Sequence, residues 1–191
     1  FCGVGSAEHT AAWQRALRNA TAVLVLNRAS AELLQSYAGD VRVVTWGMDG
    51  ARFPWPAPEE PSLPECEGLT TLLFAGVLYE PIKGFHILQA ACARLWEQRQ
   101  DFRLIVTAPP GEIDVPFIQG VGWHSQAELP RLYRATDVTV VPTIAQEGLS
   151  RTAVEAMASG RPVLGSRIGG MPDTPSYPAG PVRTATGSQL S

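Results

Sequence analysis

The sequence predicts an α/β fold, a parallel sheet flanked by helices. Three observations carry that expectation. Short apolar runs of strand length recur along the chain, segments of helical period separate them, and glycine- or proline-bearing turns follow the runs. Strands alternating with helices imply βαβ units with right-handed crossovers. The chain has 191 residues, enough for one domain or slightly more. Its 18 glycines and 16 prolines predict many turns without approaching low complexity.

Before residue 46, Ala22–Leu26 reads as a strand, Ala31–Tyr37 as a helix behind Ser30, and Val41–Val44 as a second strand. Five prolines then fall between Pro54 and Pro64. Proline fixes φ and removes an amide donor, so this stretch suits neither a helix interior nor a central strand and reads as a linker. Beyond it, Thr71–Ala75 is a strand. Phe85, Leu88, Cys92 and Leu95 then form one face of a helix from Gly84 to Glu97. Phe102–Val106 and Phe117–Val121 are strands. Ser125 and Glu128 have capping-box spacing for a helix reaching Thr136, with Pro130 near its first turn. Val138–Pro142 is a strand, Leu149–Ser159 a helix closed by Gly160, and Val163–Leu164 begins another strand. After the Pro- and Gly-rich stretch Met171–Pro181 no strong periodicity returns.

Composition excludes several function classes. A net charge of −3 and the lack of any dense Lys/Arg run argue against nucleic acid as a partner. Cys2, Cys66 and Cys92 are odd in number and widely spaced, which suits reduced thiols rather than a disulfide framework or a metal knuckle. His9, His86 and His124 lack metal-ligand spacing, so no metal and no cofactor are expected. Gly3-Val-Gly5 lacks the third glycine and the preceding strand of a dinucleotide fingerprint, and no phosphate-loop or nucleophile-elbow motif occurs. No apolar run approaches the ~20 residues that span a bilayer. The chain opens on Phe1 without a signal pattern and reads as a piece of a longer protein.

Ligands of such sheets bind where strands turn toward their next helices. Gly76 directly follows a strand, and Lys83 stands before the next helix as a point charge suited to phosphate. Gly120-Val-Gly122-Trp123-His124, Ala108-Pro-Pro-Gly111 and the Gly165–Gly170 segment are turns of the same type. Glu147 precedes a helix whose first amides lack intrahelical partners, with Gly148 and Leu149 beside it. Glu155 lies about 12 Å further along the axis at ~1.5 Å per residue, too far to share one reacting bond with Glu147. The pair suits hydroxyls at the two ends of an extended ligand. On the residues alone, Glu147 equally suits a glutamate favoured by the helix dipole, Glu155 a surface residue, and Lys83 a solvated lysine.

Taken in order, Gly76 to Gly84, Gly122 with its following helix, Glu147-x7-Glu155-Ala-Met-Ala-Ser-Gly-Arg-Pro-Val and Gly169-Gly-Met-Pro-Asp173 resemble the carboxyl-terminal domain of family 4 retaining glycosyltransferases, also called glycosyl transferase group 1. The resemblance covers Ala22 to Asp173 and implies the C-terminal half of a GT-B fold, a Rossmann-like sheet preceded by the tail of a second Rossmann-like domain. It divides the chain into residues 1–45 (acceptor-domain tail), 46–68 (interdomain hinge) and 69–191 (nucleotide-sugar-binding domain). Trp46-Gly-Met-Asp49 stands where the family has an Asn-Gly-Val-Asp-like turn. The implied activity is retaining transfer of a sugar from a nucleotide-diphosphate donor to an acceptor of unspecified class: glycan, lipid or small molecule.

The resemblance assigns Lys83 and Glu147 catalytic roles, with Lys83 on the diphosphate and Glu147 on the transferred sugar beside the amides of Gly148 and Leu149. Gly76 completes the donor turn, Glu155 holds the ribose hydroxyls, and Gly122, Trp123 and His124 lie against the base. Two departures stand out. Val77 occupies the place where the family usually has an arginine, leaving Arg151 or Arg167 to supply a second cation, and Ala108-Pro-Pro-Gly111 replaces a glycine-rich turn. The expected setting is cytoplasmic or peripheral to the inner membrane face, with any membrane contact made through parts outside this chain. The chain by itself is expected to turn over little without the amino-terminal domain. Alternatives are a non-catalytic nucleotide or sugar-phosphate binding module and a nucleotide-sugar epimerase of the same architecture.

Overall fold

The computed structural model describes residues 7–44, 47–54, 61–174 and 183–185. It opens with helix α1 (Ala7–Asn19), strand β1 (Val23–Val25), helix α2 (Arg28–Leu34) and strand β2 (Val41–Val43), with β1 and β2 paired in parallel. Single helical turns at Gly50–Arg52 and Pro64–Cys66 lead into β3 (Thr70–Phe74). There follow α3 (Phe85–Trp96), β4 (Phe102–Val106), β5 (Ile118–Gly120), α4 (Leu129–Arg134), β6 (Val138–Val141), α5 (Arg151–Ala158), β7 (Val163–Ser166) and β8 (Arg183–Ala185). Among the described residues β3 to β8 form one six-stranded sheet, all parallel, in the order β5-β4-β3-β6-β7-β8. That order reverses direction between β3 and β6. Such a reversal opens a crevice at the carboxyl ends of the strands that flank it.

The sheet is covered on both faces, as parallel sheets require. Successive strand residues point to opposite sides. Phe74, Leu104, Val106 and Val140 therefore join Phe85, Leu88 and Cys92 of α3 in one core. Leu73, Ile105 and Val141 face Leu132 and Tyr133 of α4 and Ala153, Ala156 and Met157 of α5 in the other. The fully buried Ala153 and Ala156 let α5 lie close to the sheet. β1, α2 and β2 gather a third, smaller cluster around Val25, Ala31 and Leu34.

Several boundaries correct the sequence reading. The sequence reading has no helix at α1, where Trp13 and Leu17 are the large apolar residues and Trp13 is exposed. α2 begins at Arg28 rather than behind Ser30, since Asn27 is the cap and its Oδ1 accepts from the Ser30 amide at 2.7 Å. α4 begins at Leu129, not after Ser125. Glu128 does reach back to accept from the Ser125 amide at 2.7 Å, but the Ser125 side chain makes no capping bond to α4. The turn 125–128 closes instead through its main chain, with the Ser125 carbonyl accepting from Glu128 and Leu129. α5 begins at Arg151, capped by Ser150, which leaves Glu147 outside the helix. β8 follows the stretch that lacked periodicity, its register set by main-chain pairing with β7. Cys2, the Gly3–Gly5 turn, Trp46, Pro56 and Pro58 of the proline cluster and residues 175–182 lie outside the described residues.

Cys92 is buried beneath α3, and burial pushes its thiol up to about 11. A thiol raised that far stays protonated and unreactive near neutrality. Alkylation with iodoacetamide at about pH 8 is therefore expected to leave the Cys92 peptide unlabelled in the native chain and to label it in urea. Equal labelling in both conditions, read by peptide mass spectrometry, would contradict this packing.

Candidate functional site

A cavity of about 300 Å³ opens at the crevice between β3 and β6. Gly76, Lys83, Trp123, His124, Glu147 and Glu155 all line it. These residues span 80 positions of sequence and reach one place because each sits beyond the carboxyl end of its strand or within the helix that follows.

The turn carrying Lys83 is held from two sides. Gly84 has φ +72°, and a Cβ there would lie 1.9 Å from the Pro142 carbonyl oxygen. Only glycine takes that backbone and that approach together. The Ile82 carbonyl accepts from both the Ile144 amide and the Thr143 hydroxyl, each at 2.9 Å. This seam joins the turn after β3 to the turn after β6, and across it the Lys83 ammonium forms an ion pair with the Glu147 carboxylate. Both side chains remain about a third to a quarter exposed toward the cavity. On the opposite wall the Gly76 amide donates to Thr107 Oγ1 at 3.1 Å, fixing the first glycine of the turn.

Glu155 is not a surface residue. It is 5% exposed, and the Tyr133 hydroxyl donates to its Oε2 at 3.0 Å. Arg151, one turn earlier on α5, lies 3.7 Å from its other oxygen. Burial first, and the adjacent carboxylate second, push the Tyr133 phenol far upward, so it stays a donor throughout the physiological range. Thus α5 presents a fixed acceptor at the cavity floor, with a cation beside it. Arg151 lines the cavity and Arg167 does not, so of the two arginines considered from sequence only Arg151 stands there. Val77 also lines it, 44% exposed and uncharged.

Gly122, Gly148 and Leu149 do not line the cavity. Gly122 shapes the loop instead: it takes φ +79°, and its carbonyl oxygen lies 3.1 Å from His124 Nδ1. Gly148 is packed from behind, where a Cβ would meet Leu26 Cδ1 at 2.8 Å. Among the described residues no group of three or more His, Cys, Asp or Glu side chains is placed to hold a metal ion.

A family model described as glycosyl transferases group 1 matches residues 70–178. The chain belongs to that family. D-inositol 3-phosphate glycosyltransferase of Segniliparus rotundus is 32% identical over 163 residues, covering 73% of this chain and 35% of the relative. Lipopolysaccharide 1,2-N-acetylglucosaminetransferase of Salmonella typhimurium is 30% identical over 125 residues, covering 56% and 32%. The chain thus spans about a third of the length of these curated relatives. Among solved structures, HepE of Anabaena in complex with UDP superposes with a TM-score of 0.74 at 23% identity, over 95% of this chain and 56% of the other. That likeness identifies the fold, the carboxyl-terminal half of GT-B.

The group 1 span begins at β3 and contains every residue that lines the cavity. Sequence reasoning missed Tyr133 and Thr107, both of which look like ordinary core positions. It also missed Arg52, whose Nη2 donates to the Gln126 carbonyl at 2.7 Å. A signal for that contact was present in Pro130. Lacking an N–H, it cannot donate to the carbonyl four residues earlier, which is that of Gln126.

Replacing Gly84 by alanine is expected to lower the unfolding free energy by about 2 kcal/mol or more, combining left-handed strain with a backbone clash. Urea titration checks this, and a loss below about 0.5 kcal/mol, the ordinary range of surface substitutions, would show that the seam yields freely.

Proposed function

We propose that this chain is the donor-binding part of a retaining glycosyltransferase that moves a sugar from a nucleotide-diphosphate donor to a separate acceptor. In this reading residues 1–45 are the tail of the acceptor domain, 46–68 the hinge and 69–191 the donor domain. The observation that carries the proposal is the meeting of Lys83 and Glu147, 64 residues apart, at the rim of the crevice where the strand order reverses. A cation and a carboxylate at that rim suit the two ends of the scissile bond. Nucleotide-bound relatives of the fold, such as HepE with UDP-glucose, support the ligand class.

The chemistry follows from the residues. Lys83 offers three N–H donors to diphosphate oxygens and offsets the charge that develops there as the anomeric C–O bond breaks. Glu147, the ion-pair partner of that same lysine, accepts from the sugar hydroxyls and keeps the ring placed. Glu155, held by Tyr133, accepts from the ribose hydroxyls, while Trp123 and His124 flank the base. The acceptor oxygen bonds to the anomeric carbon on the face from which the diphosphate departs, and the acceptor proton passes to the leaving phosphate. No residue of this chain is assigned the proton transfer. The acceptor side is built by the rest of the protein.

Val77 favours a second reading, a binding module without catalysis, because it places an uncharged side chain in the lining beside Gly76. Calorimetry separates the readings. The chain is expected to bind at least one of UDP, GDP and ADP, and Lys83→Ala is expected to weaken that binding about ten- to a hundredfold, as losing charge-assisted hydrogen bonds to phosphate does. Glu147→Ala should leave nucleotide affinity within about threefold yet reduce transfer by the intact protein at least about a hundredfold. No binding of any of the three at millimolar concentration would count heavily against a donor site. Absence of transfer by the intact wild-type protein would favour the binding-module reading, and unaltered transfer in the Glu147 variant would remove Glu147 from the reaction.

A further inference from the structure

We propose that Asn27 is a positioning residue for the donor sugar: from outside the matched family span it fixes the main chain that carries Glu147. The inference rests on the donor-site reading above. Asn27 stands at the carboxyl end of β1 and is fully buried. Its Oδ1 caps α2 by accepting from the Ser30 amide at 2.7 Å. Its Nδ2 donates to the Gly148 carbonyl at 2.7 Å and to the Glu147 carbonyl at 3.2 Å, across 120 residues of sequence.

The cap needs only the oxygen. Serine caps a helix about as well as asparagine, so the amide donors are the part that capping does not explain. Those donors act on one stretch of backbone. The Glu147 carbonyl accepts from Asn27 and also from the Gly170 amide at 3.0 Å, which occupies both of its lone pairs. Around it the chains approach to the limit glycine allows: a Cβ on Gly170 would lie 1.6 Å from the Gly148 oxygen and 3.2 Å from the Asn27 Cβ. One residue on, the Arg28 amide donates to Asp173 Oδ2 at 2.6 Å. The peptide of Glu147 is therefore gripped from β1 and from the 169–173 turn. Fixing that peptide fixes the direction in which the Glu147 side chain leaves toward Lys83 and the cavity. Of the cavity residues Asn27 hydrogen-bonds Glu147, by its main chain, and Asn27 does not line the cavity, so it acts through Glu147 rather than on substrate.

The test compares Asn27→Ser and the isosteric Asn27→Asp with wild type; both keep a capping oxygen and lose the two amide donors. Hydrogen exchange without ligand is expected to quicken about tenfold across residues 144–150, the loss of roughly one to two hydrogen bonds, while β3 and β4 exchange as before. Calorimetry with UDP and UDP-glucose is expected to leave UDP affinity within about threefold and to cut the gain of UDP-glucose over UDP about tenfold. In a Glu147→Gln background the Asn27 substitutions should have no further effect on that gain, the mark of action through Glu147. Unchanged exchange across 144–150 overturns the proposal. So does a parallel fall in UDP and UDP-glucose affinity, the result of general loosening. If wild type binds GDP or ADP instead, the same comparison is made with that nucleotide and its sugar conjugate; if it binds none of the three the donor reading fails, and the exchange comparison alone decides whether Asn27 sets this loop.

Discussion

A Cβ on Gly84 would come within 1.9 Å of the Pro142 carbonyl oxygen, and most of the site follows from that close approach. With the two backbones in contact, Ile82 can accept both a main-chain and a side-chain hydrogen bond from the β6 turn. Lys83, the residue between Ile82 and Gly84, is then left on the cavity side facing Glu147. Two hydrogen bonds contribute about 1 kcal/mol each, and an exposed ion pair about as much or less. Neither sum would hold a larger residue in left-handed conformation against a backbone clash. The glycine is thus what permits the cation to stand there, and the hydrogen bonds only fix its register.

The second costly feature is a carboxylate under α5. Burying an ionised group costs several kcal/mol unless partners replace its water. Glu155 has a phenol on one oxygen and a partly exposed guanidinium at longer range from the other, which offsets only part of that cost. An apolar residue at this position of α5 would carry no such cost. Local rules broken without a structural gain tend to mark functional positions. By that criterion Glu155 is a stronger candidate from its environment than its place in the sequence suggested, and Tyr133 enters the site as the group that orients it.

The fold was legible where strands and helices obey their periods. β3, β4 and β6, α3, and the core residues Phe85, Leu88 and Cys92 follow directly from apolar spacing. The parallel class follows from their alternation. What stayed hidden depends on distant partners. α1 is carried by helix-favouring residues rather than by a buried stripe, and β8 by pairing with β7 rather than by apolar content. Ser125 has ideal capping spacing, yet its side chain caps nothing because the first turn closes through the main chain. Of the site, Lys83, Glu147 and Glu155 were identifiable because their spacing matches a family pattern. Their contacts were not, since the Lys83–Glu147 pair and the Tyr133–Glu155 bond join residues on different elements. Gly122 and Gly148 do not line the cavity: the first takes a positive φ in the loop before His124, and the second packs against Leu26.

Hydrogen bonds from Asn27, Arg28 and Arg52 to the loops of the six-stranded sheet have a common character. Asn27 bonds the Glu147 and Gly148 carbonyls, Arg28 bonds Asp173, and Arg52 bonds Gln126. Each lands on a loop at the carboxyl edge of the larger sheet, and the Gln126 carbonyl is available because Pro130 cannot donate to it. Each has a main-chain atom on at least one side and contributes about 1 kcal/mol, while the linker also adds Cys66 and Leu63 to an apolar core of the sheet. A handful of such bonds amounts to a few kcal/mol, the same order as the phosphate contacts of a bound nucleotide. Bonds in that number are enough to set the geometry of the loops at the cavity. A main-chain interface of that kind can set where a side chain such as Glu147 points without contributing a single atom to the cavity it serves.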